Sequence, residues 1–303
     1  MPRSNAAAKR RVAVVLPASM VDSADIVRGI VHFTCSHPEY EIHDLFFQDA
    51  ATVVKRLARG SYHGAITSFV PLGFDSLRAK LPAKLALVNL GADSLGMGVG
   101  WIRNSDEAVA QLALKHLRES GFERLALVGT NASAAWQQRS TLIRQQARPQ
   151  EIAGAFDFPY SYADAGEPRL FPPLEQWLAK LPPRLGIIAW HGLAARCVCL
   201  ACETLGRAIP RDVGILSLLD ERWCLFGDPP ISATRYAGSK LGFAAMKLLD
   251  RMLQGRRPPP RPREFGPRSV VVRRSTQVLQ RHSQEIAKAL AFIKAALSEI
   301  WHC

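Results

Sequence analysis

Long apolar runs are missing from this 303-residue chain. No stretch approaches the roughly 18 residues that a membrane-spanning helix needs, so no bilayer span and no membrane partner are expected. Cysteine is scarce. Six in a chain this long are too few for a disulfide scaffold, which points to a reducing compartment, the cytoplasm. Acid falls short of base, with 26 Asp and Glu against 39 Lys and Arg, a formal net charge of +13. That excess points toward anionic partners without naming one. Hydrophobic residues at 48% and charged residues at 21% exclude wholesale disorder.

The motifs of common catalysts are also missing. No Gly-x-x-x-x-Gly-Lys-Ser/Thr loop is present, and no Gly-x-Gly-x-x-Gly follows the first strand-like run. Gly96-Met97-Gly98-Val99-Gly100 is glycine-rich but opens no helix, and reads as a connecting loop. There is no Gly-x-Ser-x-Gly elbow and no His-Glu-x-x-His. Cys199 and Cys202 lie three apart and share a helix face, while Cys197 points elsewhere. No second Cys or His pair follows at zinc spacing, so these thiols read as small buried hydrophobes and no metal is expected. No Ser/His/Asp or paired-carboxylate constellation stands out. The chain is not expected to be an enzyme or to carry a cofactor.

What is present is an alternation. Lys9, Arg10 and Arg11 lead into an apolar run, Val12 to Leu16, before Pro17. A basic flank and a short apolar run also begin secretory leaders, but this run is too short for one and reads as a buried first strand after a basic tail over 1–10. Val21 to His37 carries Ile26, Ile30 and Phe33 at helical spacing. Strand-like runs at 41–47, 64–68, 84–90, 124–129, 151–158, 185–190 and 213–218 then alternate with helix-like segments at 50–59, 74–81, 106–120, 134–146, 174–180, 193–205 and 241–253. This is the pattern of doubly wound parallel α/β sheets. The units are too many for one sheet, so two lobes with a ligand cleft are expected over 11–254. Lobe 1 is placed at about 11–122 and 231–254, and lobe 2 at about 123–230. Gly255 to Ser269 reads GRRPPPRPREFGPRS, a stiff extended connector that reaches with a strand to 282. Residues 283–303 carry Ile286, Leu290, Ile293 and Leu297 at helical spacing, a C-terminal helix.

Three segments carry a resemblance. Ala208 to Ser217, AIPRDVGILS, resembles a Pro-turn-strand stretch of the effector domains of lactose- and galactose-repressor type regulators. Asp228 to Ser232 (DPPIS) resembles the turn that follows there, and Leu241-Gly242 with Ala245, Leu248 and Leu249 the helix after it. Ala113 to Leu117 with Gly121 to Arg124 resembles an earlier unit. Within that group Val27 to Ile30 and Pro267 to Thr276, PRSVVVRRST, are similar to the xylose-operon regulators. Those join such a domain to an AraC-type helix-turn-helix domain, whose first helix Ile286 to Ile293 resembles. The resemblance implies a periplasmic-binding-protein-like type I fold, a sugar-like effector sensed by cleft closure, and a homodimer. DNA would be reached only through a helix-turn-helix domain that is truncated or absent here.

The resemblance, the expected topology and the charge of the connector together select site residues. Ser19, Met20, Ser68, Asp106, Trp136, Arg139, Trp190, His191 and Asp220 are the candidate cleft positions. Arg273 and Arg274 are candidate DNA contacts. Several cleft positions depart from the family: His191-Gly192 stands where Asn-Asp is frequent, Leu219 where an Asp ends the strand, and Ser68 where an Arg is common. Two other readings of the chain therefore stand beside the sensor. One is a ligand-free dimerisation or interaction module, and the other a secreted solute-binding protein.

Overall fold

The computed structural model describes residues 9–16, 22–45, 50–68, 78–91, 95–159 and 171–277. The basic tail up to Ala8, the loop holding Ser19 and Met20, most of the helix expected at 74–81, and the C-terminal helix expected at 283–303 lie outside them.

In the first lobe, β1 (Arg10–Val15), β2 (Tyr40–Asp44), β3 (Gly64–Thr67), β4 (Ala86–Asn89) and β5 (Val99–Asn104) pair in parallel in the order β2-β1-β3-β4-β5. The second lobe repeats the plan with β6 (Arg124–Thr130), β7 (Ile152–Phe158), β8 (Leu185–Ala189), β9 (Val213–Ser217) and β10 (Ser232–Arg235), in the order β7-β6-β8-β9-β10. These are two copies of one doubly wound topology, with the strand order reversing between β1 and β3 and again between β6 and β8.

The central strands read as near-continuous apolar runs because helices cover both of their faces. On one face of the first sheet Val12, Val14, Ile66 and Val88 meet α1 (Ser23–Cys35) and α8 (Gly238–Leu253). On the other face Ala13, Val15, Ala65 and Leu87 meet Val53, Val54 and Leu57 of α2 (Ala50–Arg59). In the second lobe α3 (Asp106–Glu119) and α4 (Ala134–Gln146) cover one face. α5 (Phe171–Ala179) and α6 (Gly192–Thr204) cover the other. A four-residue helix, α7 (Arg222–Leu225), follows β9. α1 and α8 touch backbone to backbone. A Cβ on Gly242 would lie 1.9 Å from the Ile26 carbonyl oxygen, and one on Gly29 2.0 Å from that of Ser239.

Three expectations need correction. The lobe boundaries set near 122 and 231 fall elsewhere. α3 packs with the second lobe, so the chain first crosses at Ser105, and β10 belongs to the second sheet, so it returns at Tyr236. The glycine-rich loop is only half loop. Gly96 and Gly98 take positive φ, but β5 begins at Val99 and buries Gly100 and Ile102 on one face. The Pro/Arg stretch is not a free connector. β11 (Arg263–Phe265) adds to β5, and β12 (Ser269–Val271) adds antiparallel to β10, so this stretch makes a third crossing between the lobes. Both are edge strands, where a proline costs no ladder hydrogen bond on the outer side.

Candidate functional site

The first two crossings leave the carboxyl end of a strand and enter a helix of the other lobe at its N-terminus. The carboxyl edges of the two sheets therefore flank one crevice, the place where doubly wound sheets bind ligands. Thr67, Ser68 and Asn89 stand at the carboxyl ends of strands in the first lobe, and Thr130, Trp190 and Leu219 in the second, with Thr67, Asn89 and Thr130 buried.

The crossings are tied to one another. Ser105 donates its backbone N–H to Phe265 O at 2.8 Å, and Arg268 donates to Arg235 O at 2.7 Å. Arg139 makes the third tie from α4. Its Nε donates to Asp106 Oδ1 at 2.7 Å and its Nη1 to the Tyr236 hydroxyl at 2.9 Å. Its guanidinium also lies 4.8 Å from the centre of the Trp190 ring. Arg139 and Asp106 are almost fully buried, 7% and 3% exposed. A buried charge needs such pairing, because its desolvation would otherwise cost several kcal/mol. Burial pushes the Tyr236 hydroxyl up to about 12, so it stays a neutral hydrogen-bonding group.

Trp136, expected as a stacking surface, is inside. Its indole packs over Gly129, where a Cβ would come within 2.0 Å of it, and its Nε1 donates to Asp157 Oδ1 at 2.9 Å. It backs Trp190, with ring centres 5.9 Å apart, and Trp190 is the half-buried ring of the pair. His191 is also inside. It caps α6, its Nδ1 accepting the Ala194 N–H at 3.1 Å, and burial lowers it to about 4, so the ring is neutral. Ser68 lies part-buried at the end of β3.

Asp220 and the two arginines belong to a different device. Arg273 Nη2 donates to Asp220 Oδ1 at 2.8 Å and its Nη1 to Ile231 O at 2.7 Å. Arg274 pairs with Asp228. Ser275 Oγ donates to Ile215 O, and the Thr276 and Ser232 hydroxyls bond each other. The arm over 269–276 is thus clasped to the second sheet. Asp220, expected to face ligand hydroxyls, and Arg273, expected to reach phosphate, are here bonded to each other within this clasp. The basic pair was placed from charge alone, and the fold turns the first of the two inward.

Two acceptors that sequence reasoning missed stand at the crossings. Asp22 Oδ2 and Asn104 Oδ1 are buried and find no hydrogen-bond partner among the described residues. Burial raises the Asp22 carboxyl, and its charge is felt by Tyr236. Their signal in the sequence is position only: one precedes α1 and the other ends β5. Among the described residues no His, Cys, Asp and Glu cluster could hold a metal. Burial pushes the Cys199 and Cys202 thiols up to about 12, far from the thiolate a metal takes.

With this geometry in place, the likenesses to known proteins can be set against it. The description of periplasmic binding protein-like domains matches residues 114–276, more than half of the chain. This chain belongs to the periplasmic binding protein-like family. Among its relatives is the xylose operon regulatory protein of Escherichia coli (strain K12), 26% identical over 294 residues, covering 94% of this chain and 74% of that protein. The protein of that name from Haemophilus influenzae (strain ATCC 51907) is 24% identical over 205 residues, covering 64% of this chain and 51% of its own length. The structure of the xylose-binding transcription activator xylR superposes with a TM-score of 0.74 at 22% identity, covering 94% of this chain and 74% of that one. A LacI family regulator from Arthrobacter sp. FB24 in complex with lactose gives 0.69 at 17% identity, covering 89% and 100%. The two-lobed fold of this family member is the one those structures share.

Proposed function

We propose that this chain is the effector-binding part of a transcriptional regulator of the xylose-operon-regulator type, and that it senses a sugar or sugar derivative. The observation that carries the reading is the pair of buried acceptors at the crossings: Asp22 Oδ2, whose charge is felt by Tyr236, and Asn104 Oδ1 at the end of β5, with Tyr236 bonded to Arg139 beside the Trp190 ring. Polyols bring several hydroxyl donors and an apolar face, which suit unpaired acceptors beside an aromatic ring. The relatives whose names speak of xylose regulation support the same class. The part of this chain is to bind and to close. A ligand held from both lobes favours the closed state, and rotation is taken up at Ser105, Tyr236 and the segment between Phe265 and Ser269. The working form is a cytoplasmic homodimer that reaches DNA through a helix-turn-helix domain, and the chain performs no catalysis.

The test is thermal unfolding against pentoses, hexoses and sugar acids. A ligand at a hundredfold its Kd stabilises by about 2.7 kcal/mol. A saturable rise with one sugar, reduced in Asp22→Asn, supports the reading. A flat response across the panel overturns it. A second reading, a ligand-free interaction module, has one observation in its favour: Asp106, Arg139, Tyr236 and Asp220 already have partners within the fold.

A further inference from the structure

A cavity lies on the exposed face of α8. It measures about 360 Å³, at the lower end of the range, about 300–1,000 Å³, typical of small-molecule sites. Lys240, Phe243 and Lys247 line it from α8. The spacing of three and four puts them on one helical face. His32 enters from α1, its ring 5.5 Å from that of Phe243. Arg263 and Phe265 enter from β11, the guanidinium 5.0 Å from the Phe265 ring.

The charge in this cavity is one-sided. Among the described residues no Asp or Glu lines it. Among the described residues no carboxylate pairs with Lys240, Lys247 or Arg263. The nearby acids are taken: Glu264 receives Arg103 at 2.8 Å, and Asp25 receives Arg28. Lys240 also stands in the first turn of α8, where no acidic residue occurs and where Ala237 supplies no capping side chain. A cation there faces the positive end of the helix dipole, an arrangement that an incoming anion reverses. Three cations within one cavity suit a doubly charged group better than a single carboxylate. The Phe243 and Phe265 rings give an apolar wall for an attached organic body.

We propose that this cavity binds a small phosphate monoester, with its phosphate on Lys240, Lys247 and Arg263 and its organic part against Phe243 and Phe265. It is a second ligand input, separate from the crevice between the lobes. Its size favours a free small molecule over a phosphorylated side chain of another protein.

The test is calorimetric titration of the full chain with phenyl phosphate at near-physiological ionic strength, against phenol, inorganic phosphate and a phosphoserine tripeptide. Phenyl phosphate should bind saturably and at least tenfold more tightly than either fragment. Lys240→Gln with Lys247→Gln should weaken it at least tenfold, and Arg263→Gln should weaken it independently. All three side chains are exposed. Should the double variant fail to fold, Lys247→Gln alone reads the same loss, at least threefold. Equal affinity in the variants overturns the proposal, as does inorganic phosphate binding as tightly as phenyl phosphate. A tripeptide that binds tenfold more tightly than phenyl phosphate overturns the assignment to a free small molecule.

Discussion

Acidification should loosen the second lobe through one histidine. His191 is 3% exposed and caps α6 by accepting the Ala194 N–H on Nδ1. That role needs an unprotonated nitrogen, and burial lowers the ring from 6.5 to about 4. The folded state therefore binds this proton less readily than the unfolded chain does. The stability that follows is complete above about pH 6.5, is lost as pH falls from there toward 4, and changes no further below. A fall from 6.5 to about 4 is worth about 3 kcal/mol over the whole window, and about 2 kcal/mol of it is gone by about pH 5. His116 is half-buried and also lowered by burial, and contributes with the same sign. His191→Asn isolates the first group, because an asparagine side chain caps a helix without titrating. Urea unfolding of both proteins at pH 7 and pH 5 gives the comparison. The natural chain should lose about 2 kcal/mol more than the variant across that interval. Equal losses would refute the reasoning and place the proton elsewhere.

Arg139→Met should destabilise by about 3 kcal/mol or more, because it leaves Asp106 buried with only Arg103, at 3.6 Å, beside it. Asp106→Asn on top of it should recover much of that loss, and denaturant unfolding of the four proteins checks the coupling; simple additivity would mean that the two charges do not depend on each other. Gly242→Ala should lower the melting temperature by the equivalent of about 2 kcal/mol, since the new methyl meets the Ile26 carbonyl and α1 and α8 have to part. A melting temperature within a degree of the natural chain's would show that this helix pair is not tightly seated.

Much of the fold was legible because parallel α/β units write themselves into the chain. The helix expected over 50–59 is α2 to the residue, and that expected over 134–146 is α4. β5 and β10 were missed for a common reason. β5 reads VGWIRN and β10 reads SATR, short edgeward strands with polar or glycine positions that neighbours, not composition, make extended. β11 was hidden by the prolines around it. The candidate site divides in the same way. Asp106, Arg139 and Trp190 were picked separately, and the fold brings them together with Tyr236. Trp136 and His191 were expected at the crevice, but their side chains turn into the core.

The sequence by itself determined the two-lobed parallel architecture and the family. Apolar periodicity and turn residues act over a few positions, and a single chain displays them directly. Only the tertiary structure decided what each polar group does. Arg139 ties Asp106 to Tyr236 across 33 and 97 residues of chain, and Arg273 reaches Asp220 across 53. Pairing over such distances depends on how the sheets stack and where the chain crosses between lobes. The same packing buried the histidine, clasped the basic arm and left two acceptors at the crossings unpaired, and no local pattern in the residues records any of these.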